Sequence, residues 1–206
     1  MSNISKAASK FGKTVGVTGA PVFIKSDNVI DLIINDHNEA KELYEEYKKT
    51  QQRDTKRSIC NDLIKKLVQH DEVEQLLVYP LLREKVGGSI GEGHYERSLN
   101  EHQDHRNLLY EVKQSNINGD EHIDVKLSDA MKSVLDHVKK EEAEVLPLLK
   151  QHVSEDDLKR VGSTFKAHKY VAVTRPHPNA PAQGYPAALA NVVTKPFDLL
   201  KDFMEK

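Results

Sequence analysis

The sequence predicts an all-α protein: an up-down-up-down four-helix bundle followed by a C-terminal extension that is part helical and part proline-rich. Three observations predict it. Between residues 26 and 150 the only prolines are Pro80 and Pro147, and the only glycines fall at 87–93 and 119, so little interrupts long helices. Apolar residues recur through the same span at spacings of three and four, the period of a helix with one buried face. Two segments also return. HDEVEQLLVYPLL from His70 comes back sixty-seven positions later as HVKKEEAEVLPLL from His137, and NDHNEAKELYEEYK around His37 is echoed sixty-five positions later by NEHQDHRNLLYEVK around His102. A duplicated helix pair accounts for both echoes.

Helix A is expected over about 27–51, opened by Ser26-Asp27, with Ile30, Ile33, Ala40, Tyr44 and Tyr47 on its inner stripe. Helix B, about 55–86, carries Ile59, Leu63, Leu67, Leu77 and Leu81 and stops at Gly87-Gly88. Helix C, about 92–116, carries Tyr95, Leu99, Leu109 and Val112, and turns at NINGD. Helix D, about 122–151, carries Leu127, Ala130, Val134, Val145 and Leu148. Pro80 and Pro147 each stand six residues past a glutamate and are expected to kink or end the packed part of B and D. SEDDLKRVGSTFKAHK begins like a capping box and predicts a fifth helix over 155–169. TRPHPNAPAQGYP, with four prolines in thirteen residues, predicts an extended strap. KPFDLLKDFMEK then predicts an amphipathic helix with Phe197, Leu200 and Phe203 on one side, docked on the bundle. Residues 1–25 hold four lysines and no acid. They are expected to form a basic tail, an organelle import sequence being the alternative that their lack of arginine disfavours. The expected divisions are therefore 1–25, 26–151 and 152–206.

At 206 residues, 38% hydrophobic and 30% charged, the chain is the size of one domain with extensions. A formal charge of −2 offers no basic face for nucleic acid. The single cysteine, Cys60, excludes an internal disulfide and a thiolate zinc cage, and points to a reducing, cytoplasmic setting, with the mitochondrion as the alternative. No apolar run approaches the length of a membrane span.

Each apolar stripe is interrupted in its middle, by His37 in A, His70 and Glu74 in B, His102 in C, and His137 and Glu141 in D. His37 and His70 are equally far from the A–B turn, His102 and His137 from the C–D turn, and Glu74 and His102 from Gly88. In an antiparallel bundle these residues share one level of the interior. A glutamate four residues after a histidine points to the same helix face, so each HxxxE pair offers an imidazole nitrogen and a carboxylate to one centre. One histidine on an apolar stripe is ordinarily a hydrogen-bonded core group. Four with two glutamates at one level form a candidate two-metal site, because buried carboxylates need positive charge beside them. Imidazole and carboxylate without sulfur suit iron or manganese, and zinc also fits.

Other residues near the motifs are expected to play lesser parts. His105, one turn past His102, has three readings open to it: ligand, outer hydrogen-bond donor or core. Asp71, Glu72, Glu101 and Glu142 are expected to face largely away from the centre, either supporting a ligand from outside by hydrogen bonding or lying in solvent. His94, His122, His152, His168 and His177 are expected at the surface, and Tyr44, Leu77 and Leu109 as walls of the site.

These motifs resemble the hemerythrin family in its intracellular HHE cation-binding branch. The likeness rests on His37 with its preceding acid, His70-x-x-x-Glu74 followed by Pro80, the Glu101-His102 pair, and His137-x-x-x-Glu141 with Glu142 and Pro147, in that order over about 27–151. TRPHPNAP is similar to the strap of fungal members of that branch. The resemblance implies a non-haem pair of iron ions joined by an oxygen atom and the two carboxylates, with an open position for a small ligand. Oxygen-carrying hemerythrins have HxxxH in the third helix and a histidine followed five residues later by an aspartate in the fourth. Here Ser98 stands four before His102, and the fourth helix has HxxxE. One imidazole fewer leaves the metals more open than in the carriers.

The leading functional expectation is a di-iron protein that binds oxygen, peroxide or nitric oxide for sensing, scavenging or storage. A weak peroxidase or oxidase belongs to the same site, although no dedicated proton donor is evident in the sequence. A metal-free helical interaction module, docking through its tail helix, is the alternative of a different class.

Overall fold

The computed structural model describes residues 27–118 and 120–179, together with a two-residue antiparallel pairing of Thr14–Val15 with Pro21–Val22. That pairing lies within the expected basic tail. The rest of the tail, the strap beyond 179 and the expected amphipathic helix at its end lie outside the described residues.

Four long helices form the bundle. Helix α1 spans Val29–Lys49 and starts one or two residues later than expected, because Asn28 rather than Ser26 or Asp27 is its cap: Asn28 Oδ1 accepts from the Ile30 backbone N–H at 2.9 Å. After a short turn capped by Gln52, α2 runs Arg53–Leu77. α3 is Gly88–Asn118 and α4 is Ile123–Lys140. Gly87 and Gly88 both have positive φ, which L side chains adopt only with strain, and they reverse the chain between α2 and α3.

Helices B and D break at the two prolines expected to kink or end them, so neither runs unbroken over its full predicted span. Without an N–H, Pro80 cannot close the regular ladder, so the N–H of Tyr79 bonds instead to the Glu74 carbonyl, five residues back, at 2.9 Å. The second copy does the same. A π-helical turn occupies Glu141–Val145, and the Leu146 N–H bonds to the Glu141 carbonyl ahead of Pro147. A further short helix, α5, follows at Leu146–His152. A second π-helical turn at Leu82–Val86 leads into Gly87. Each wider turn slips the inner face by one residue. Leu77 and Leu148 are therefore only half-buried, while Tyr79, Leu146 and Leu149 lie inside.

Helix α6, Glu155–Lys169, has the expected bounds and is capped by Ser154, whose Oγ accepts from the Asp157 N–H at 3.2 Å. It packs on α1 and α2. Gly162 makes the crossing possible, since a Cβ there would stand 1.8 Å from the Asp27 carbonyl oxygen. The strap then buries Ala172, Val173, Thr174 and Arg175, and Glu72 accepts from the Val173 N–H at 2.7 Å. No helix among the described residues is long and apolar enough to cross a membrane.

The core is in two parts. One cluster, including Ile33, Val73, Tyr79, Leu99, Val145, Leu158 and Phe165, fills one end of the bundle. The other, including Ala40, Leu63, Leu67, Leu109, Leu127 and Val134, fills the opposite end. The polar residues of the candidate site form the layer between them.

Candidate metal centre

His37 projects from α1, His70 and Glu74 from α2, His102 from α3 and His137 from the last turn of α4, while Glu141 is the first residue of the π-helical turn that follows. All six are at most 5% exposed. The ligand-capable atoms of His37, His70, Glu74 and Glu141 lie within 4.8 Å of one another, and so do those of Glu74, His102 and His137. The two groups share Glu74, and Glu141 joins them from the other side: its Oε2 is 3.2 Å from His37 Nε2 and 3.9 Å from His137 Nε2.

The spacings fit donors arranged around cations. Metal–donor bonds of about 2.0–2.2 Å put neighbouring corners of an octahedron about 3 Å apart. His70 Nε2 and Glu74 Oε2 are 3.2 Å apart, and His102 Nε2 and His137 Nε2 are 3.1 Å apart. Several of these atoms make no hydrogen bond: His37 Nε2, His70 Nε2, Glu74 Oε1 and Glu141 Oε2 are all buried without an aligned partner. In a protein interior such atoms are costly unless something else satisfies them. The residues present therefore fit metal binding.

The outer ring nitrogens are held by carboxylates. His37 Nδ1 meets Glu142 Oε1 at 2.9 Å, His70 Nδ1 meets Asp36 Oδ2 at 3.2 Å, and His137 Nδ1 meets Glu101 Oε2 at 2.7 Å. Such contacts aim the opposite nitrogen at the centre. Each acid is the sequence neighbour of a candidate ligand on a different helix. One residue along a helix turns the side chain by about 100°, away from the centre and toward the adjoining helix.

Two residues differ from expectation. Asp71 does not face away: its Oδ1 is 3.8 Å from His102 Nε2 and its Oδ2 is 3.4 Å from His105 Nδ1. The ligand-capable atoms of Asp71, His102 and His105 form a third close group, and the His105 ring also packs edge-on against His137. The tyrosine of the site is Tyr79, not Tyr44, which lies half-buried under Lys48. Tyr79 Oη is 2.8 Å from His102 Nε2, 3.1 Å from Glu74 Oε2, 3.1 Å from Glu141 Oε1 and 3.4 Å from His137 Nε2. On a regular helix, a residue five past Glu74 would point about 140° away from it. The wide turn before Pro80 brings it back, so the signal in the sequence was the proline. Of the remaining histidines, His122 and His152 are exposed and His94, His168 and His177 half-buried, and none joins these groups.

Electrostatics divide the two glutamates. Burial pushes the Glu74 carboxyl well up, and the negative charges of Glu141 and Asp71 push it further. Burial acts the same way on Glu141, but its contact with His37 and the charges of His137, His37 and His70 outweigh that and hold it below the ordinary carboxylate range. Burial pushes His102 well below its ordinary value, which leaves it neutral with a lone pair to offer. Burial, then Glu141 and Glu74, push the Tyr79 phenol up, so it is protonated. A cavity of about 20 Å³, room for one water-sized molecule, lies beside His37 and His70 under Lys66 and Lys169.

Comparison with known proteins agrees with this geometry. Residues 28–149 match the family model for the hemerythrin HHE cation binding domain. An uncharacterized hemerythrin-like protein of Schizosaccharomyces pombe is 30% identical over 182 residues, 88% of this chain and 89% of that protein. A DNA nickase of Nostoc is 25% identical over 167 residues, which cover 81% of this chain and 46% of the nickase. No solved structure matches. A layer of histidines and carboxylates between two apolar ends of a helical bundle, matched over most of its length by that family model, places the chain in the hemerythrin family as an HHE cation-binding domain protein.

Proposed function

We propose that the protein holds two iron ions in the bundle interior and binds a small ligand there, oxygen, peroxide or nitric oxide, for sensing, scavenging or storage. His37 and His70 would hold one ion and His102 and His137 the other, with Glu74 and Glu141 shared between them. The observation that carries this reading is the set of buried ring nitrogens and carboxylate oxygens gathered at one level, of which His37 Nε2, His70 Nε2, Glu74 Oε1 and Glu141 Oε2 have no hydrogen-bond partner. Iron supplies a redox-active Lewis acid with positions open to a small ligand. The chain's own groups orient and shield. Asp36, Glu101 and Glu142 fix the rings, and the two apolar clusters exclude bulk water. Nitrogen and oxygen donors also accommodate manganese or zinc.

The same orphaned atoms argue against a metal-free interaction module, whose core would gain from apolar residues at 70 and 74. Metal analysis of protein produced in iron-rich medium tests the reading. The expected result is about two irons per chain with an oxo-to-iron absorption in the near ultraviolet that changes on adding azide. Protein that folds with no bound metal in that medium would overturn it.

A further inference from the structure

The family resemblance rests on histidines and acids, yet the atom at the middle of one half of the cluster belongs to a tyrosine. Tyr79 Oη stands 2.8–3.4 Å from four donor atoms, those of His102, Glu74, Glu141 and His137. An atom about 3 Å from four others, with bonds to a common cation of about 2.0–2.2 Å, has the position of one octahedral corner relative to the four beside it. A hydrogen-bond donor supporting a single ligand from outside would be near one of them. Tyr79 is fully buried, and its approach is built into the backbone by the wide turn that Pro80 imposes.

We propose that Tyr79 is itself a ligand, a phenolate bound to the metal that His102 and His137 hold, while the other metal has no such ligand. This rests on the two-metal reading above. On coordination the Oη–H bond breaks, the oxygen lone pair forms the metal–oxygen bond and the proton leaves to solvent, with no change in oxidation state. A bound cation stabilises the phenolate beside it. A hard anionic donor favours the ferric over the ferrous ion. This half of the cluster is therefore biased toward the oxidised state, which suits scavenging or storage better than reversible carriage.

The full chain is loaded with ferrous ion, oxidised in air and assayed for iron before its spectrum is taken. The expected result is a visible phenolate-to-iron charge-transfer band, with resonance Raman ring modes that shift when ring-deuterated tyrosine is incorporated. The chain has seven tyrosines, so Tyr79→Phe assigns the band: it should retain iron and lose both band and modes, while Tyr44→Phe keeps them. The isotope measurement on the unaltered chain stands whether or not Tyr79→Phe folds. Iron-loaded protein without tyrosinate modes, or a band that survives in Tyr79→Phe, overturns this inference and leaves the two-metal reading in place. Protein that takes up no iron overturns both.

Discussion

Replacing Glu74 by methionine, an unbranched residue of similar shape, should stabilise the empty protein and destabilise the loaded one. Glu74 is fully buried and its Oε1 has no hydrogen-bond partner. An unsatisfied buried group of this kind costs about 1–3 kcal/mol. Among the described residues the substitution gives up the hydrogen bond from Tyr79 Oη, which keeps its contacts with Glu141 and His102, and the 3.2 Å contact with His70 Nε2. In chelator, Glu74→Met should therefore gain about 1–2 kcal/mol, or roughly 2–8 °C in Tm for a chain of this length. With metal, the unaltered protein gains about 4 kcal/mol at a thousandfold excess over Kd, roughly 8–16 °C. The variant, lacking one of the carboxylates proposed to hold the metal, should forgo most of that gain. Calorimetric melts in chelator and in iron should thus rank the two proteins in opposite orders. A variant that melts lower than the parent in both would refute the reasoning, since the carboxylate would then support the fold with no cation present.

Gly162→Ala should lower the urea midpoint by an amount equivalent to about 1–3 kcal/mol or more, because the new methyl falls 1.8 Å from the Asp27 carbonyl oxygen where α6 crosses the start of α1. An unchanged midpoint would mean that the crossing is looser than described. Although burial opposes it, contacts with His70 and Lys169 hold the Asp36 carboxyl down at about 2, below its ordinary 3.8. Its stabilisation of the empty protein, about 2 kcal/mol, is present in full above pH 4 and lost as pH falls through 2. Acid titration of Asp36→Asn followed by circular dichroism should be flatter across that window, and parallel curves would contradict the assignment. Burial pushes the Cys60 thiol up to about 12, so it should resist a thiol-specific disulfide reagent at pH 8 until denaturant is added. Rapid labelling of native protein would contradict that burial.

The bundle and its polar layer were legible because both depend on regular helical periodicity. Residues equidistant from a turn, such as His37 and His70, needed only a constant rise per residue to be placed on one level. The parts that were not legible are those where the rise and rotation change. A helix drawn straight through 55–86 points Tyr79 away from Glu74, whereas the ladder broken by Pro80 delivers it among four donors. Asp71 was obscure for another reason. Its direction depends on what the neighbouring helix presents, here His102 and His105, and a single helix's periodicity does not carry that information. The acids at 36, 101 and 142 show the same dependence with a simpler rule, each reaching across to a ring on an adjoining helix.

The five-residue backbone bonds from Tyr79 to Glu74 and from Leu146 to Glu141 are one device written twice, sixty-seven positions apart. Both swing the residue ahead of a proline inward, but one copy supplies a hydroxyl and the other a hydrocarbon. If the two-metal reading holds, the two seats are thereby unequal, and calorimetric titration with zinc is expected to resolve into two separate steps, the earlier of them filled before the later begins.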